Sequence, residues 1–222
     1  MPKIFAHLDF LTDPEPHGAA WNMALDEALL LATENPVLRV YRWRAPAVSF
    51  GYFEAIAPVR AKYPAQELVR RWTGGGVVEH GEDFTYSLIV PRHDPLATVK
   101  PLECYGRIHG ALVEALEKTG LQAELTPCQA PKISTACFEN PAAYDIMYRD
   151  QKIAGAGQRR SRHGLLHQGS IQGQQLPTTF AEILATTLSA RSVPMETSAH
   201  LESHAHTLAN EKYATPGWTE RF

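Results

Sequence analysis

Three consecutive glycines, Gly74, Gly75 and Gly76, stand between Arg70-Arg71-Trp72 and the β-branched pair Val77-Val78. Glycine weakens both helix and strand interiors, so the stretch reads as a loop between two extended segments. "ELVRRW" before it and "FTYSLIV" after it are β-type runs, which predicts a strand–loop–strand unit. Two uses fit such a loop: a bulged hairpin turn, or a backbone that a ligand approaches closely. Neither a P-loop nor a dinucleotide fingerprint is present, because the glycines lack a trailing Gly-Lys-Ser/Thr and lead into a strand-like run instead of a helix. An anion here has to be held by loop N–H groups and by the guanidinium forks of Arg70 and Arg71.

The rest of the chain mixes helices and strands without regular βαβ alternation. Trp21, Leu25, Ala28, Leu29 and Ala32 form one helical face, with Asn22, Asp26 and Glu27 off it, and Pro36 closes the segment. "VLRVYRWRAPAVSFGYF" predicts two short strands. Pro101 opens a helix with a stripe of Leu102, Tyr105, Ile108, Leu112, Val113 and Leu116, and Gly120 stops it. "YDIMYRDQKIAGAG" predicts a hairpin turning at Arg149-Asp150-Gln151, and "GLLHQGSIQG" a further strand. A short helix comes after Pro177 with Thr179 and Glu182 at capping-box spacing, and a last one covers about Ala205 to Tyr213, before a Pro216-Gly217 stop. This mixture predicts an α+β fold, a single domain over residues 1–222 with a mixed β-sheet flanked by helices.

Composition narrows the function classes. Of the 222 residues, 44% are hydrophobic and 20% charged, with a net charge of −3, so a proper core is expected and nucleic-acid binding has no whole-molecule basis. No run reaches the apolar length of a membrane helix, and the N-terminus lacks a signal-peptide pattern. Three cysteines without a CxxC pairing argue for a reducing, cytoplasmic setting.

Several residues carry possible chemistry. Lys152 sits after a hairpin turn and precedes the small residues Ala154, Gly155, Ala156 and Gly157, which leave room for a ligand or for tight sheet packing. Cys137, in "STACFENP", is either a small buried hydrophobe or a nucleophile with a cationic neighbour. His163/His167 and His200/His204/His206 have metal-like spacing but no H-E-x-x-H and no cysteine partners, so no metal site is expected. His80, four residues past the glycines, is placed to orient the loop or touch a ligand.

Taken together, "RRWTGGGVVEH", "FTYS", "KIAGAGQRR" and "LHQGSI" resemble the lipoate/biotin protein ligase and octanoyltransferase superfamily. "NMALDEALL", "LRVYRWRAPAVSFGYF" and "LANEKYATPGWTERF" extend the resemblance over most of the chain. It implies a domain that attaches lipoate, octanoate or biotin to one lysine of a carrier domain. In it Arg71, Gly74, Gly75 and Gly76 line an acyl tunnel, His80 and Gly155 join the substrate-binding set, and Lys152 contacts the reacting carbonyl.

Two branches differ in chemistry. Ligases activate the free acid with ATP and Mg²⁺. Transferases take the acyl group from an acyl carrier protein thioester, without another cofactor, through a cysteine in a C-F-x-x-P segment. "CFENP" fits that segment, with Cys137 fifteen residues before Lys152. The triple glycine is commoner among ligases, and "HGEDFTYS" lacks the Gly-Asn turn many of them have. The resemblance thus implies an octanoyl- or lipoyltransferase with Cys137 and Lys152 as catalytic residues. Its partners are lipoyl-domain proteins such as the glycine-cleavage H protein and the 2-oxoacid dehydrogenase acyltransferase subunits. An ATP-dependent ligase and a non-catalytic binder of lipoyl carriers are the alternatives.

Overall fold

The structure, a computed structural model, describes residues 2–127 and 142–222. Strands β1 (Leu8–Thr12), β2 (Val37–Tyr41), β6 (Phe84–Pro91), β7 (Glu124–Leu125), β8 (Ile146–Tyr148), β9 (Gln151–Ser161), β10 (Gly164–Ile171) and β11 (Ser192–Pro194) form one sheet in the order β11-β1-β2-β6-β10-β9-β8-β7. β1 pairs parallel with β11 and β2, and the other pairings are antiparallel, so the sheet is mixed as expected. A smaller sheet has the order β4 (Glu67–Arg70), β3 (Ala47–Phe50), β5 (Val77–His80).

Helices cover both faces of the large sheet. On β6, Tyr86, Leu88 and Val90 pack with α3 (Pro101–Glu117) and α4 (Phe180–Leu188), whereas Ile89 packs with α1 (Ala19–Ala32) and α5 (Ala199–Leu208). This is the period-2 alternation of a strand buried on both sides. A short helix, α2 (Ile56–Lys62), closes the small sheet with Ile56 and Val59 against Val48 and Phe50.

Strong local signals hold. Pro101 is the first residue of α3, and Gly120 takes φ +88° just past its end. The β8–β9 hairpin turns on two residues, Arg149 (φ 50°) and Asp150 (φ 63°), with Gln151 already in β9. Positive φ at both positions is the twist-matched turn for a two-residue hairpin.

Other expectations are corrected. Asn22, Asp26 and Glu27 of α1 are buried, because Asn22 and Asp26 meet Arg39 on the sheet and Glu27 accepts from Lys212 and Tyr213. Arg39 of β2 is buried too. Its guanidinium donates to Asp13 Oδ2 (2.6 Å), Asp26 Oδ1 (2.7 Å) and Asn22 Oδ1 (3.0 Å). Burial alone pulls this guanidinium down, but the two carboxylates more than reverse that and hold it above its ordinary value.

The Thr179 side chain makes no cap bond. The turn at Pro177 instead brings Phe180 N–H onto the Pro177 carbonyl (2.9 Å), so the capping box does not form. α5 starts at Ala199, well before Ala205, with the Ser198 hydroxyl accepting from Leu201 N–H, and a π-type turn, Ala209–Tyr213, comes after it. Pro216 is not a stop. It opens α6 (Pro216–Thr219), capped by Thr215, and seats the buried Trp218.

Candidate active site

The glycine stretch is not a hairpin turn. β4 and β5 do not pair with each other but lie on opposite sides of β3, with Arg70 and Val77 both in register with Phe50. The loop from Arg71 to Gly76 therefore arches over the end of β3. Arg71 N–H donates to the Phe50 carbonyl (2.8 Å), Tyr52 N–H to Thr73 (2.9 Å) and Gly51 N–H to Gly76 (3.2 Å).

Close approach is met by glycines outside the triplet. A Cβ on Gly51 would lie 1.8 Å from the Gly75 carbonyl oxygen, and one on Gly157 of β9 would lie 2.4 Å from that of Gly74. Within the triplet, Gly75 takes φ +96°, while a Cβ on Gly74 would meet nothing within 4 Å.

This contrast is measurable. Gly157→Ala pushes the loop off β9 and lowers stability by about 1–3 kcal/mol, the usual scale of overpacking. Gly74→Ala leaves stability unchanged or raises it by up to about 1 kcal/mol. Equal effects in chemical denaturation would remove the packing account of the loop.

The two arginines have different jobs. Arg70 is fully buried and donates to the carbonyls of Gly51, Tyr52, Glu54, Trp218 and Thr219, so it ties α6 to the small sheet and is not available to an anion. Arg71 holds the loop itself, donating from Nη2 to the Gly74 (3.2 Å) and Gly76 (2.9 Å) carbonyls and from Nη1 to Ser49 Oγ (2.7 Å).

Behind Ser49 runs a buried chain of hydrogen bonds. Ser49 Oγ meets His80 Nε2 at 2.7 Å, and His80 Nδ1 meets Asp83 Oδ2 at 2.8 Å. Burial opposes ionisation of Asp83, but its bonds with His80, Ser170 and Thr85 bring it down to about 2. As an ionised acceptor it accepts a hydrogen bond from Nδ1–H, which leaves Nε2 to accept from Ser49. Burial holds the His80 imidazole below its ordinary value, and its ring stacks on Trp43 at 4.0 Å.

A pocket lies under this arrangement, bounded by Arg71 and Gly75 of the loop, Ser49 and His80 of the small sheet, and residues of β9 and β10 that include Gly155. The structure thus brings together Arg71, Gly75, His80 and Gly155. Gly74 and Gly76 contribute through the carbonyls that Arg71 holds.

Lys152 is not a solvated turn lysine. Its side chain is 3% exposed and its Nζ lies 2.8 Å from Asp145 Oδ2, itself buried. The ammonium sits over Gly155, where a Cβ would come within 3.0 Å of Nζ. Cys137 and Cys128 lie outside the described residues. Cys104, the cysteine among the described residues, is buried in the core, and burial pushes its thiol up.

The histidine spacings do not converge. His167 is buried beside Tyr86 and Gln158, His163 lies in the turn before β10, and His206 packs on Trp21. Among the described residues no group of three or more His, Cys, Asp or Glu side chains could hold a metal ion. Likewise, no helix among them is long and apolar enough to cross a membrane.

Sequence reasoning misses Asp145, Tyr105, Ser49 and Asp83. Tyr105 reads as core, and it is half-buried, but its hydroxyl donates to Asp145 Oδ1 (2.5 Å). Nothing in sequence spacing links residues 40 apart.

The family model for the lipoyl protein ligase A/B catalytic domain matches residues 18–212, and the chain belongs to this family. Relatives include the octanoyltransferase LipM of Oceanobacillus iheyensis, 37% identical over 169 residues, covering 70% of this chain and 60% of that protein. The octanoyltransferase LipM of Staphylococcus aureus is 35% identical over 167 residues, with 68% and 60% covered. The chain thus aligns with about three-fifths of the length of these curated relatives.

Among solved structures, Ta0514 of T. acidophilum, a putative lipoate protein ligase with bound lipoic acid, superposes with a TM-score of 0.75 at 21% identity, covering 98% of this chain and 99% of that one. A lipoate-protein ligase A bound with ATP reaches 0.74 at 21% identity, covering 97% and 98%. These two share the fold.

Proposed function

We propose that this chain acts as one catalytic domain that moves an octanoyl or lipoyl group from an acyl carrier protein thioester to a lysine of a lipoyl carrier domain, through a thioester on Cys137. The observation that carries the reading is a buried ammonium, Lys152, held over the glycine-floored strand that also walls the pocket. The names of the LipM relatives support a transferase over a ligase.

In the first step the Cys137 thiolate attacks the acyl carbonyl and the carrier-protein thiolate leaves. In the second, the lysine amine of the lipoyl domain attacks the Cys137 thioester, the C–S bond breaks, and the amine loses its proton as the amide forms. One thioester replaces another in the first step, so little bond energy is at stake and no ATP is required. Negative charge develops on the carbonyl oxygen in both steps, and a water-excluded ammonium stabilises it. Arg71, Gly74, Gly75, Gly76, His80 and Gly155 form the wall along which the acyl chain lies. Lipoyl-domain proteins, the glycine-cleavage H protein among them, are the acceptors, and the setting is a reducing cytoplasm.

Intact-mass measurement on apo H protein tests this in two mixtures. One contains octanoyl-acyl carrier protein without ATP, and the other free lipoate or octanoate with ATP and Mg²⁺. Modification in the first alone, lost in Cys137→Ser with the fold retained, is expected. Modification in the second alone would make this a ligase, and modification in neither would favour a binding role.

A further inference from the structure

We propose that Asp145, braced by Tyr105, is a positioning residue for Lys152. It supplies the counter-charge that holds the ammonium over Gly155, at the end of a clamp between α3 and the turn Ala142–Asp145. This rests on the acyl-transfer reading above, in which Lys152 faces the reacting carbonyl.

The carboxylate of Asp145 is saturated by groups from three places. Lys152 Nζ of β9 lies at 2.8 Å, the Tyr105 hydroxyl of α3 donates at 2.5 Å, and Ala142 N–H donates at 2.6 Å. The Tyr105 oxygen also accepts from Ala156 N–H (2.9 Å), one residue beyond Gly155. A continuous chain of bonds therefore runs from the β9 backbone through Tyr105 and Asp145 to the ammonium. Gly155 completes it, because a Cβ there would lie 2.8 Å from Lys152 Cε and 3.3 Å from Asp145 Oδ1. The pair lies flat on the strand only while position 155 has no side chain.

α3 fixes the turn itself. Tyr144 takes φ +68°, a left-handed conformation that an aromatic residue rarely adopts. Its carbonyl accepts from His109 Nδ1 (2.7 Å), and its ring lies so close to Gly106 that a Cβ there would be 3.1 Å away. On the other side, Tyr144 N–H and Thr126 N–H bond the carbonyls of Thr126 and Asp145 (2.7 and 2.8 Å). Three residues of one helix, Tyr105, Gly106 and His109, thus serve a four-residue turn as well as the sheet they pack on.

Fold stability alone does not explain this investment. A buried ion pair is commonly matched or bettered in stability by apolar residues of the same volume. What a carboxylate offers that an apolar residue cannot is a fixed site for a charged ammonium.

The test compares Asp145→Asn, Asp145→Glu and Lys152→Ala, with octanoyl-acyl carrier protein and apo H protein as substrates and circular dichroism to verify folding. Asparagine keeps the shape and can still meet Tyr105, but it carries no charge. Asp145→Asn is expected to lose about a hundredfold in kcat, the scale of one lost electrostatic stabiliser, with KM within about twofold. Asp145→Glu, which restores the charge, is expected to recover at least about tenfold of that loss.

A structural brace predicts the opposite order, since glutamate overfills the site and asparagine does not. Wild-type kcat in Asp145→Asn, or a kcat in Asp145→Glu no better than in Asp145→Asn, overturns the proposal. If Lys152→Ala is inactive while Asp145→Asn is unimpaired, this inference alone fails. If Lys152→Ala is fully active, the acyl-transfer reading fails and takes this inference with it.

Discussion

Lys152→Ala is expected to lose at least about a hundred- to a thousandfold in kcat for acyl transfer, with KM for both carriers changed by no more than about twofold. The expectation rests on burial. An ammonium 3% exposed acts on a developing oxyanion through little intervening water, where a unit charge counts for far more than at the surface. Lys152→Arg is expected to fare little better. The four-carbon stem already lies against Gly155, and a planar guanidinium cannot replace a point charge in that space. The variant is expected to remain folded, because Asp145 keeps the Tyr105 hydroxyl and Ala142 N–H as donors. Initial rates with octanoyl-acyl carrier protein decide the matter. Wild-type turnover in Lys152→Ala would falsify the role given to this residue.

The largest effect on stability is expected at Asp26→Ala. Its carboxylate accepts from Arg39 Nη1 (2.7 Å), Ser87 Oγ (2.6 Å) and Gln168 Nε2 (2.7 Å), all in the interior. Truncation leaves the buried guanidinium under-compensated and two further donors unpaired. Breaking a buried pair from one side costs about 3–5 kcal/mol. For a chain of this length that corresponds to a fall in Tm of roughly 6–20 °C. The exposed pair Arg60–Glu220, about half accessible on both sides, is the control, and Glu220→Ala should shift stability by less than about 1 kcal/mol. Similar melting shifts in the two variants would contradict the weight given to burial. Gln168 also accepts from Thr73 of the glycine loop (2.8 Å), so Asp26→Ala also loosens the pocket wall from behind.

The sequence announces elements whose signals are local and leaves silent those set by distant partners. Pro101, Gly120 and the Arg149-Asp150 turn are legible because backbone chemistry at single residues dictates them. α5 is faint because only Leu201 and Ala205 of its ten residues are buried, too few to mark a stripe. Asn22, Asp26 and Glu27 of α1 read as off the apolar face because periodicity marks apolar residues, not the buried polar partners, Arg39 and Tyr213, that these side chains meet. Arg70 and Arg71 look alike in sequence, yet Arg70 gathers carbonyls from segments far apart along the chain, while Arg71 holds its own loop. The cluster around Lys152 is half legible. The lysine and Gly155 stand out by motif, but Asp145 and Tyr105 acquire meaning only when α3 is laid beside the hairpin.

The glycine loop's course also governs how the protein opens. Its two ends are stitched to opposite edges of the same strand, around Phe50. Such a strap cannot swing on one hinge, since freeing either end breaks a strand pairing. The loop therefore belongs to the same cooperative unfolding unit as the small sheet, and the stretch richest in glycine inherits its rigidity from the strand it crosses.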